Sequence, residues 1–137
     1  MSLVLFFNLF VRPVISMLDQ IVNPNAQFTA AINFHFRDHG EDQRRIFTFG
    51  ADLVRRVPMK IDGLDGMNTV EIQVSQSSDY RIGDNANVEC RVIAPELILP
   101  LVKLGVHFDL WDSGFFANGT ITGINESSWH RFGLTSR

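Results

Sequence analysis

Between Gln27 and Asn125 the chain keeps breaking short runs of β-branched and aromatic residues with small clusters of turn formers. These clusters are Asp38-His39-Gly40, Asp62-Gly63 with Asp65-Gly66, Gly83-Asp84-Asn85, and Ser113-Gly114. Glycine reaches positive φ without a Cβ penalty, and Asp and Asn hydrogen-bond backbone groups of their own turn. A spacing of about 8 to 12 residues leaves room for strands and too little for helices that bury a face. The pattern predicts strands over 27–37, 45–49, 52–61, 67–75, 86–94, 104–112 and 117–125. Joined as antiparallel hairpins, they make an all-β fold, a small antiparallel, Greek-key-like β-barrel.

Alternation within these runs assigns faces. Val88, Cys90 and Val92 fall two apart and point one way, and Phe108, Leu110, Ile121 and Ile124 join them in the expected interior. Cys90 is the only cysteine, so it forms no intramolecular disulfide, and an interior thiol is inert. Gly105 and Gly119 interrupt strand-like runs, where barrels place bends or close chain contacts.

A chain of 137 residues with 45% hydrophobic and 20% charged residues predicts one ordinary packed domain. It divides into an apolar N-terminal segment at 1–26, the barrel at 27–125 and a C-terminal tail at 126–137. Leu3 to Val11 is apolar almost all round, but Arg12 and Pro13 end the run well short of the roughly 20 residues that span a bilayer. No basic residue precedes the run and no small-residue cleavage site follows, which is unlike a signal peptide. Val14, Ile15, Leu18, Ile21 and Val22 recur at helical spacing, predicting a short N-terminal helix that starts near Pro13 and ends near Asn23-Pro24-Asn25. That helix is expected to pack on the barrel or on a second copy, the alternative being a membrane-surface or partner-docking segment. The cytoplasm is the default compartment for such a chain.

Several segments, in order, resemble the C-terminal β-barrel domain of translation elongation factor Tu. Phe28 to Phe34 is similar to that domain's first strand, Phe-x-Ala-x-Val-Tyr-Val, and a charged hairpin turn follows at Arg37 to Arg45. Arg81 to Val88 resembles the Pro-Gly-Asp-Asn-Val turn into a strand, with Ile82 in place of the proline. Pro100 to Leu110 resembles Pro-Ile-Ala-x-x-x-Gly-Leu-Arg-Phe-Ala-Ile, and Gly119 to Ile124 the closing Gly-Val-Val-Thr-Lys-Ile strand. The likeness covers roughly 100 residues, a typical domain length. It implies the fold, and it brings in the family's grip on the T stem of aminoacyl-tRNA as one expectation. The chain departs from the family where that grip is basic: Trp111 and Phe115 stand at the two arginines of Arg-Glu-Gly-Gly-Arg-Thr-Val-Gly, and Gly-Gly-Arg-His becomes Asp42-Gln43-Arg44-Arg45.

No G-x-x-x-x-G-K-[ST] phosphate loop occurs, so no GTP is expected on this chain, and no cofactor, metal or catalytic residue either. His35 and His39 are four apart, a spacing that converges on a helix and not across a strand and turn. The formal charge of −3 exerts no global attraction for nucleic acid. Arg44, Arg45, Arg55, Arg56 and Lys60 lie in two adjacent strand segments and form the candidate partner or RNA surface. Trp111, Phe115 and Phe116 form a candidate aromatic contact, because adjacent strand residues face opposite ways and one phenylalanine must leave the interior. The expected function is a non-catalytic module that binds another protein or its own copy, the alternative being a translation-associated tRNA-binding domain.

Overall fold

The computed structural model describes residues 25–39, 45–76 and 79–129. The expected N-terminal helix lies outside these residues. The described residues form eight strands: β1 (Phe28–Phe34), β2 (Ile46–Thr48), β3 (Val54–Ile61), β4 (Asn68–Gln73), β5 (Asp79–Arg81), β6 (Asn85–Val92), β7 (His107–Trp111) and β8 (Phe115–Ile124). Six of them close into an antiparallel barrel in the order β1-β6-β4-β3-β7-β8, with β8 returning to β1. Strands β3, β4 and β6 are neighbours in succession and β1 crosses back to lie beside β6, a Greek-key connection. Closure removes the open edge strands of a flat sheet, with β3 joined to β7 over Met59–Ile61.

The hairpins form where the turn residues stand. Gly63, Gly66, Gly83 and Gly114 all take positive φ. In the turn into β6, the Asp84 carboxylate accepts from the Arg81 amide at 2.7 Å, the local bond expected of an Asp in a turn. Inward positions come from every barrel strand, among them Ile32, Met59, Ile72, Cys90, Leu110 and Ile121. Val88, Val92 and Phe108 are buried as the alternation requires, and Ile124 is half-buried.

Several boundaries differ from the sequence reading. Strand β1 stops at Phe34, because Phe36 adopts φ +48° and the chain winds into a 3-10 turn over Arg37–His39. Strand β7 starts only at His107, since Leu104-Gly105 is a turn with Gly105 at φ +86°. Strand β5 and two one-turn helices, α1 (Pro95–Ile98) and α2 (Glu126–Trp129), do not follow from the two-residue alternation. Pro95 opens α1, where its missing N–H costs nothing.

Strands β2 and β5 pair only with each other, Phe47 opposite Tyr80. Both rings pack on Phe34 where β1 ends, at 5.8 and 4.8 Å between centroids. Where β1 begins, Gln27 makes four hydrogen bonds that tie its own segment to β6 and to the stretch 125–129. Its amide donates to Cys90, its Oε1 accepts from the Val92 amide at 2.7 Å, and its carbonyl accepts from Asn125 and from Trp129 Nε1 at 3.0 Å. Trp129 is thereby held in the core although it lies beyond the last strand. No helix among the described residues is long and apolar enough to cross a membrane.

Candidate functional site

The two arginines of β3 go to opposite sides. Val57, Met59 and Ile61 point inward, so Arg55 shares their side of the strand and Arg56 does not. At the strand's start Arg55 turns toward the β2–β5 sheet. Its Nη1 donates to the Thr48 carbonyl at 2.7 Å, its Nη2 meets Asp112 Oδ2 at 3.1 Å, and its guanidinium lies 4.5 Å above the Phe47 ring. His39 joins from the other side, its Nε2 donating to the Asp112 carbonyl at 2.8 Å. The other ring nitrogen, Nδ1, is buried with no hydrogen-bond partner. Asp38 adds a clamp, accepting from the Phe115 amide at 3.1 Å. A cavity of about 160 Å³ opens among His39, Arg45, Phe47, Arg55, Asp112 and Phe116.

Arg56 belongs to a different arrangement. Register pairs Arg56 with Glu71 across β3 and β4, and Glu71 with Arg91 across β4 and β6. Glu71 Oε2 therefore accepts from Arg56 Nε at 3.0 Å and from Arg91 Nη2 at 3.2 Å. Burial by itself raises the Glu71 carboxyl. The hydrogen bonds and charges of Arg91 and Arg56 together outweigh it and hold the group below the ordinary carboxylate range. One anion thus fixes two guanidiniums in a row on the outer wall. A cleft of about 390 Å³ opens beside them, with Gln27 and Ser128 as further polar groups and Val92, Ile93 and Pro95 as its apolar side.

The basic residues expected to share one surface are therefore divided. Arg55 is engaged with Asp112 and Arg56 with Glu71. Lys60 reaches the Leu64 carbonyl at 3.4 Å, Arg45 is exposed ahead of β2, and Arg44 lies outside the described residues. Of the aromatics, Trp111 is exposed and faces Phe115 across the hairpin. Leu110 pairs with Ala117 and Trp111 with Phe115, so Phe116 is the extra residue of a bulge. Its ring turns inward and stacks on Phe47 at 4.3 Å, which makes it core. Phe115, half-exposed, is the phenylalanine that leaves the interior.

Glu71, Arg91 and Gln27 had no place in the sequence reading. The alternations Val70-Glu71-Ile72 and Cys90-Arg91-Val92 already put both charges on the outer wall; that they meet depends on register. Among the described residues no group of three or more His, Cys, Asp or Glu side chains converges as metal ligands would. Fold and surface together define a small closed antiparallel barrel with a two-arginine cleft on its wall. No family model matches the chain, and no curated protein matches it.

Proposed function

We propose that this chain is a non-catalytic binding module, a stand-alone barrel similar to the C-terminal domain of elongation factor Tu, that engages another protein or its own copy. The observation that carries the reading is the outer-wall cleft beside Arg56, Glu71 and Arg91, where preorganised donors adjoin exposed apolar surface. Side chains with chemical potential serve the fold instead: Cys90 is buried, Asp112 holds Arg55, and His39 holds the Asp112 carbonyl. The six-stranded closure and the Gly83-Asp84 turn into β6 agree with the family resemblance. An RNA grip would need Arg55 and Arg56 on a common face, and β3 sends them apart.

The test is crosslinking of the tagged full chain in native extract, read by mass spectrometry beside an unrelated barrel, together with light scattering of the pure protein. A reproducible protein crosslink, or a self-associated species, that survives ribonuclease is the expected result. A monomer with no crosslink above the control rejects the reading, and a crosslink abolished by ribonuclease selects tRNA or another RNA as partner.

A further inference from the structure

We propose that the cleft beside Arg56 and Arg91 receives an acidic segment of a protein partner, a carboxylate seated on the two guanidiniums and a neighbouring apolar side chain against Ile93. This rests on the binding-module reading and names the chemistry of the partner. Each guanidinium carries five N–H donors in a planar fork, and Glu71 takes up one nitrogen of each. Two cations share one anion, so the row carries surplus positive charge, and Glu71 holds the forks in position before any ligand arrives. An incoming carboxylate then gains charge-assisted bonds without ordering the arginines itself.

The apolar side distinguishes a protein from a free oxyanion or a nucleic acid. Ile93, which lines the cleft together with Arg56 and Arg91, is 50% exposed, and Leu97 of the helix α1 that follows is 49% exposed. A phosphate has nothing to place there, whereas a peptide alternating acidic and apolar residues covers both surfaces. Nucleic acid needs several phosphates neutralised at once, and the chain carries a formal charge of −3. The chain's own flanks are poorly matched to the row: residues 1–24 contain one acidic residue, Asp19, and residues 130–137 contain none.

The test is an NMR titration of the isotope-labelled full chain with acetyl-Leu-Glu-Leu-Glu-Leu-amide, its glutamine counterpart, and inorganic phosphate. Expected are shifts confined to residues 56, 71, 91 and 93–97. Arg91→Gln and Arg56→Gln each weaken the acidic peptide by about tenfold or more, as does changing its glutamates to glutamine. Ile93→Ser weakens it with both arginines intact, and amide spectra away from the cleft confirm that each variant is folded. Equal binding of the glutamine peptide, equal binding of phosphate at the same amides, or indifference to both arginine variants overturns the proposal. A partner crosslinked in extract equally by wild type and Arg91→Glu overturns the cleft assignment and leaves the module reading standing. Peptide binding without any crosslinked partner does the reverse.

Discussion

Gly119 lies directly under the ring of Phe108, so close that a Cβ on the glycine would sit 2.2 Å from Cζ. The two are opposite one another in the β7–β8 ladder, and Gly119 also faces Ile32 across β1. The ring occupies the volume a side chain would take, and it reaches Phe28 edge-on at 6.5 Å. Gly119→Ala is therefore an overpacking change at a closed point of the barrel, expected to cost roughly 1–3 kcal/mol. Urea denaturation measures it. A smaller partner at Phe108, Phe108→Leu, should lessen the cost of Gly119→Ala in a double-mutant cycle, and strict additivity would contradict the contact.

The Arg55–Asp112 pair is about 40% exposed on both sides, which limits what the ion pair itself contributes. Arg55 also covers Phe47 and holds the Thr48 carbonyl, contacts that Asp112 does not share. Arg55→Ala is expected to cost about 1 kcal/mol, and Asp112→Asn distinctly less, since the neutral amide still accepts a hydrogen bond. Thermal melts of the two single variants decide it. Equal losses would assign the whole effect to the ion pair.

Glu71 gives stability a pH signature. Its carboxyl is held below its ordinary 4.5 in the folded chain, so the unfolded chain takes up the proton first as pH falls. The contribution is complete above the unfolded value and drains away as pH drops through the lower folded value. The stability gap between wild type and Glu71→Gln should therefore be largest near neutrality and narrow steadily below about pH 4.5. A gap independent of pH between 7 and 3 would mean that the two arginines do not hold the carboxylate.

Cys90 sits in the core between β1 and β4, and burial pushes its thiol well above the ordinary cysteine range. Thiolate is the reactive form, and neither it nor a route for reagent exists in the folded barrel. A disulfide-exchange reagent at pH 8 should leave the native protein unlabelled for as long as it stays folded, with one thiol appearing on unfolding in urea. Rapid labelling of native protein would place Cys90 at the surface.

Local chemistry made much of the barrel legible. Positive-φ glycines at 63, 66, 83 and 114 mark turns whose conformation other residues enter only at a cost, and the Val88, Cys90, Val92 alternation records which face meets water. The same local signals were silent about β5, whose Asp79-Tyr80-Arg81 offers one aromatic between two charges, and about α1 and α2, each a single turn and too short to show a helical period. The bulge at Phe116 was equally hidden: both phenylalanines look alike in sequence, and only the mismatch between Leu110–Ala117 and Trp111–Phe115 decides which ring turns inward.

By itself, then, the sequence determined a chain of short antiparallel strands and which face of each is apolar; it grouped Arg55 and Arg56 on one surface, although side-chain direction alternates with every residue and β3 sends them apart. The tertiary structure decided what those arginines meet. Glu71 and Arg91 stand 15 and 35 positions beyond Arg56, and they join it only because β3, β4 and β6 lie side by side in one register; a slip of one residue would turn the row into the core.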